Sequence, residues 1–447
     1  MEEIQAGQSQ NMFFVIGITI LTCVILHFIY KTIFGSKESE EEKHETDIDS
    51  GNQAEATSDV TASENRSAKT KKRAPWKGKT EFSHPWLLKN LKGHPGNVLL
   101  MDFSANGKFM AATCDDGSVI LWDVRDLNQK EHKTLRVNIE FDYASHVAWS
   151  PDSKAFIVHT VLGNNIIVYK IEKKKDGAIG SASPVIEFDK VHEEDIVGFG
   201  ISSNGKFMMS CSSKNDMVLW DLKGQQLERL DTYLMSTHSA KISPCGRFVV
   251  PTGFSPDVKV MEVCFTRQGE YKQVTKAFEL TGHSSGVYDV AFSGDTSHIA
   301  TVSKDGTWKL YHTKIEYTLG ESPHVLETGT YTQTANPPRI ALSPNAEVLA
   351  VSADSNIEFY DTYTGEQYDT IENVYTGLIN HMSFDSTGKY LFVCGDRAVR
   401  IFHNVCGYYT TIKSCTRLLK QKQTSATVER LNKTIQDCQQ TLTKFGK

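Results

Sequence analysis

None of the nine cysteines stands in C-x-x-C spacing, and no His/Cys group has the spacing of zinc ligands. An odd count without such pairs argues against a disulfide framework or a structural zinc and suits a reducing compartment. H-E-x-x-H, P-loop and dinucleotide-binding glycine patterns are also missing, which points away from an enzyme and toward a protein without cofactor or metal. No excess of positive charge is present: the net charge of -6 excludes a general polyanion binder. With 39% hydrophobic and 23% charged residues, the 447-residue chain is neither disordered overall nor collagen-like.

Long apolar runs are equally scarce, with one exception. Residues 12–30 (MFFVIGITILTCVILHFIY) hold 19 consecutive positions without Asp, Glu, Lys or Arg. A helix needs ~20 apolar residues to cross ~30 Å of hydrocarbon, so a single spanning helix is expected. A cleaved signal peptide would need a basic start and a small-residue cleavage site, but Glu2 and Glu3 precede the run and Tyr30 ends it. Lys31, Lys37 and Lys43 follow the run and no Lys or Arg precedes it, which places residues 1–11 in a lumen and the rest in the cytosol.

Residues 31–83 read as a charged linker. Ten acidic side chains against one Lys fill 38–64, and six basic ones without an acid fill 69–79. Neither stretch can bury a core, and a solvated tether is the plain reading. Lys69, Lys71, Lys72, Arg73, Lys77 and Lys79, with Trp76 among them, also suit contact with RNA phosphates or an anionic surface.

A repeat fills residues 84–404. Ser-centred turns recur as SANG (104–107), SPDS (150–153), SSNG (202–205), SPCG (243–246), SGDT (293–296) and SPNA (343–346), with DSTG at 385–388. Each is followed by a strand ending in Trp122, Tyr169, Trp220, Met261, Tyr311, Tyr360 or Phe402, at intervals of 47, 51, 41, 50, 49 and 42. Gly-His precedes two of these units, at His94 and His283, with a Val-His variant at His192. The pattern resembles the WD40 repeat, whose unit is one four-stranded propeller blade. The expected fold is all-β: a seven-bladed WD40 β-propeller after one transmembrane helix and before a short C-terminal helix. The last unit is one strand short, and residues 85–91 (PWLLKNL) are expected to supply it.

The blades are degenerate. A complete WD40 blade links His, Ser/Thr, Asp and Trp in a buried hydrogen-bond network. His94, Asp116 and Trp122 fit, with Cys114 read at the hydroxyl position; His283, Ser303 and Asp305 fit, with Tyr311 for Trp; Trp220 marks a third blade. All are read as structural. In the basic tail, 405–447, Val428, Leu431, Ile435, Cys438, Leu442 and Phe445 are spaced 3, 4, 3, 4, 3, a helical seam for the propeller or for a partner helix.

The strings SPCGRFVVPTGFSPDVKVMEVCF (243–265), ALSPNAEVLA (341–350), CGDRAVRIFHN (394–404) and the run from Val302 to His312 resemble the transducin beta-like protein 2 family of membrane-anchored WD40 proteins. That resemblance implies a non-enzymatic adaptor of the endoplasmic reticulum membrane in the unfolded-protein response. It also implies protein partners that include the ER-resident eIF2α kinase, with RNA or the ribosome as further partners. An alternative is a membrane-anchored nucleotide-exchange factor for a small GTPase in vesicle coat assembly, which rests on fold analogy alone.

Overall fold

β-branched and aromatic residues alternating with polar ones fit half-buried strands, and a computed structural model describes residues 82–446 as 28 strands followed by two helices. The expected membrane helix, nearly all of the linker and its basic cluster lie outside the described residues. Among the described residues no helix is long and apolar enough to cross a membrane.

The strands form antiparallel meanders of four. Residues 98–138, 144–188, 287–330 and 340–371 each make one four-stranded sheet, while 196–231 and 237–280 share an eight-stranded one. The two halves of that larger sheet are joined as one sheet by a single parallel bridge, Gly198 to Ala240, and pack across a shared apolar core. The closing sheet combines 381–403 with the strand Leu87–Lys92, which pairs antiparallel with Ala398–His403. The N-terminal strand thus completes the last blade, and the Trp86 carbonyl accepts the His403 N–H at 2.8 Å. The first strands of successive blades adjoin one another round a closed circuit from Val98–Phe103 to His381–Phe384 and back. This is a β-propeller, and its hydrophobic core lies between neighbouring sheets, as where Trp308 meets Tyr360 at 5.5 Å.

Because each blade is an antiparallel meander, loops after the second and fourth strands open at one end of the ring, here the upper end. Loops after the first and third strands open at the lower end. The recurrent Ser turns are lower loops, built around the serine hydroxyl. Ser104 Oγ accepts the Phe109 N–H at 3.0 Å and donates to the Phe109 carbonyl at 3.1 Å; Ser202, Ser243, Ser293 and Ser343 hold the same place. The fourth turn residue is left-handed every time: Gly107, Gly205, Gly246 and Gly388, but also Ser153, Thr296 and Ala346.

The tail is a helical hairpin rather than one helix. Helix α1 spans Val405–Leu419 and α2 spans Ser425–Lys444, and the two pack together. Asn404 caps α1 by accepting the Gly407 N–H at 2.9 Å, while its amide donates to the Gly388 carbonyl of a lower turn. Thr410 and Lys413 then reach Glu347 and Asp361, so the hairpin sits at the lower end.

Candidate interaction surface

The residues singled out from sequence fall into blades of unequal completeness. In the third blade, His192 Nδ1 meets the Asp216 carboxylate at 2.5 Å and Nε2 meets Ser210 Oγ at 2.7 Å. Ser210 Oγ also accepts the Trp220 indole N–H at 2.9 Å. The partners assign the ring proton to Nδ1, so Ser210 donates to Nε2. Arg229 adds two bonds to Asp216, at 2.7 and 2.9 Å. Sequence reading found Trp220 but not Ser210 or Asp216, because Asp216 stands four residues before Trp220, whereas Asp116 stands six before Trp122.

In the fifth blade His283 Nδ1 meets Asp305 at 2.9 Å, and the hydroxyl at Nε2 is that of Thr301 at 2.8 Å. Ser303, expected in that role, donates instead to the carbonyls of Ser285 and Gly286. Tyr311 bypasses the network and donates to the Thr281 carbonyl at 3.0 Å. Strand register explains the two-residue error. Trp220 pairs with Met208 and Tyr311 with Ile299, and the bridging hydroxyl lies two residues beyond, on the same face of the strand.

The same register in the first blade pairs Trp122 with Met110, so the hydroxyl position is Ala112, not Cys114. Cys114 Sγ does touch His94 Nδ1, at 3.1 Å. But His94 Nε2 and Trp122 Nε1 are buried without a partner, and Asp116 binds Ser118 and Arg136 instead. Burial pulls the His94 imidazole down to about 4, with Asp116 opposing. Elsewhere the register position holds Val158, Pro251, Val351 and Val393, none of which carries a side-chain hydroxyl.

The predicted helical seam faces inward. Leu431 and Leu442 are buried and Val428, Ile435, Cys438 and Phe445 half-buried. Leu442 joins the core between the last blades, where Phe445 packs too. Two basic residues of the tail are also engaged: Lys413 pairs with Asp361 at 3.0 Å, and Arg417 stacks 3.5 Å over the Tyr363 ring. The seam therefore serves the chain's own propeller.

First strands line a central channel of about 590 Å³. Asp289 there pairs with Lys241 at 2.9 Å and accepts Ser239 Oγ–H at 2.9 Å and the Ile340 N–H at 3.2 Å, tying three blades together. Burial works against its charge, but Lys241 and Arg339 hold its carboxyl below the ordinary value. Burial pulls His146 and His381 down to about 3 and pushes Asp102 up to about 6. A chain of Ser145, His159 and Asn164 (2.8 Å at each step) has the outline of a nucleophile, base and orienting group. Its third member is a neutral amide, a weaker partner for an imidazolium than a carboxylate, and Ser145 is also held by His146 at 2.9 Å. Gly282-His283-Ser284-Ser285-Gly286 spells G-x-S-x-G, which sequence reading overlooked. It forms a loop between strands rather than a strand–turn–helix elbow, and its His is the structural His283. These channel and loop groups knit the blades together.

The upper end is different. It carries Phe141, Leu162, Tyr233, Met235 and Phe254 as exposed side chains, and no tail helix covers it.

The "WD domain, G-beta repeat" family matches residues 85–123, 274–312 and 369–403, so the best-connected blade, 196–231, lies outside the matched segments. The chain is 43% identical over 367 residues to transducin beta-like protein 2 of Homo sapiens, covering 82% of each chain. The Mus musculus protein of that name is 43% identical over 366 residues, covering 82% of this chain and 83% of its own. The WD repeat-containing protein WDS homolog of Arabidopsis thaliana is 24% identical over 267 residues, 50% of this chain and 49% of its own. Repeat, propeller and likeness along most of both chains converge: the chain belongs to the transducin beta-like protein 2 family of WD40-repeat proteins.

Proposed function

We propose that the protein is a membrane-anchored scaffold: a seven-bladed propeller that holds protein partners at the endoplasmic reticulum surface in the unfolded-protein response. The observation that carries this reading is the upper end, where large apolar side chains stand in solvent with no tail helix over them. The channel and blade networks, by contrast, are occupied with holding the ring. The helix at 12–30 would confine the propeller to two dimensions and raise the local concentration of partners on the same membrane. The partner class we favour is the ER-resident eIF2α kinase. RNA or ribosomal contact would fall to the 69–79 cluster and to the exposed tail cations, whereas Lys413 and Arg417 are engaged internally.

Membrane topology is the first test. In microsomes the propeller should be digested by protease without detergent, and the sequons at Asn65 and Asn432 should stay unglycosylated. Asn432 is exposed on α2 and would accept a glycan readily in a lumen. Protection with glycosylation would place the propeller in the lumen and sink the cytosolic partners. Proximity labelling from the propeller should then recover the kinase in stressed cells, and recovery should fall when residues 1–30 are replaced by a soluble leader.

A further inference from the structure

The upper loops of the second, third and fourth blades form one continuous arc. Asp142 accepts the N–H groups of Leu162 and Gly163 at 2.9 and 2.8 Å, and Asn164 donates to the His192 carbonyl at 2.8 Å. The Thr232 N–H reaches the Asn215 carbonyl at 2.7 Å, and the Phe254 N–H reaches Ser236 at 3.1 Å. These tied loops hold out Phe141 (97% exposed), Met235 (77%), Tyr233 (75%), Leu162 (72%) and Phe254 (62%).

Backbone conformation makes this arrangement costly twice over. Phe141, Tyr233 and Met235 have φ of 57°, 56° and 62°, the left-handed region that bulky side chains avoid. They also leave their apolar surface in water. At the lower end, the recurrent left-handed turn position holds Gly, Ser, Thr or Ala, the longest a threonine. Folding alone therefore gives no reason for Phe, Tyr and Met above, and strain of this kind marks a working surface.

Charge identifies the occupant. The arc's loops (139–143, 161–165, 189–195, 213–215, 232–236 and 254–257) carry seven acidic side chains against Lys190 and Lys214. Lys214 is paired with Glu194, and one further cation, Lys259, lies 5.6 Å from the Tyr233 ring. We infer that this arc docks a basic protein segment, one with Lys or Arg interleaved with apolar anchors. The apolar studs would supply the affinity, and the acidic loops would steer and select. The inference rests on the scaffold reading and adds to it the face and the chemistry of the partner.

The test uses the full-length chain in cells with a photo-crosslinking residue at Leu162 on the arc or at Asp152 on a lower turn. Peptides attached at 162 should be rich in Lys and Arg. Their yield should fall at least tenfold in the Phe141→Gly, Tyr233→Gly, Met235→Gly triple variant and in Glu193→Lys with Asp195→Lys. The purified triple variant should melt no lower than the parent, because glycine accepts the left-handed backbone, so misfolding would not account for the loss. Acidic peptides or nucleotides at 162, or yields that the variants leave unchanged, would overturn the inference. Crosslinks at 152 alone would remove the arc and leave the scaffold; none at either position would remove both.

Discussion

The first and third blades hold the same His and Trp in nearly the same places, yet only one completes its network. In the third, Ser210 joins His192 to Trp220, and Asp216 closes the other side of the ring. In the first, Ala112 occupies the Ser210 position, and the His94 and Trp122 nitrogens that would meet a hydroxyl are buried without one. What matters is whether a hydroxyl faces the correct side of the second strand. A single missing oxygen leaves two nitrogens stranded, whereas a blade with Val at that position and Tyr in place of Trp, as at Val158 and Tyr169, has neither nitrogen to strand.

The comparison breaks most visibly in the third blade. Ser210→Ala would strand His192 Nε2 and Trp220 Nε1 together, at about 1–3 kcal/mol for each buried group. A stability loss of about 4 kcal/mol is expected in urea unfolding; a loss within ~0.5 kcal/mol would show that the network is dispensable. Acid probes the first blade next. Its folded His94 titrates near 4 against an ordinary 6.5. Below pH ~6.5 the unfolded chain binds a proton that folded His94 refuses. Stability therefore falls from pH ~6.5 to ~4 and levels off below, a contribution of about 3 kcal/mol. His94→Gln should flatten that part of the decline, while the parts owed to His146 and His381 continue toward about 3.

Repairing the first blade is a smaller effect of opposite sign. Ala112→Ser would place a hydroxyl between His94 and Trp122 and should add about 1–2 kcal/mol in the same urea titration, whereas Cys114→Ser should add little. A larger gain from Cys114→Ser would mean that the register assignment is wrong. Smallest are the outer arginines. Arg229→Ala removes two bonds to Asp216 and Arg136→Ala one to Asp116, both from half-exposed side chains. Each should cost under about 1 kcal/mol, Arg229 more than Arg136, and the difference should shrink in 1 M salt when melting temperatures are compared.

Much of the architecture was legible because it is periodic. The Ser turns, the aromatic strand ends and the missing last strand are local signals, and each appears where the repeat put it, including the pairing of Leu87–Lys92 with the final sheet. The blade networks were less legible because they depend on register across strands. Thr301 rather than Ser303 meets His283, and Asp216 enters from a displaced position, facts set by pairing rather than by spacing along the chain. The helical seam carried its own ambiguity. A 3-4 spacing says that a face is buried without saying against what, and here it is the chain's own hairpin and propeller. Exposed Phe141, Tyr233 and Met235 had no sequence signal, since nothing in a single chain marks a left-handed aromatic.

The strand Leu87–Lys92 has a consequence for synthesis. It leaves the ribosome roughly 300 residues before Ala398–His403, and at about 5–20 residues per second that is a wait of about 15–60 s. Throughout that time its hydrogen-bonding edge has no native mate and invites pairing with other chains. The nascent protein therefore passes through an open-ring stage lasting about two thirds of its own translation, during which a chaperone that shelters one six-residue strand would decide how much of it closes.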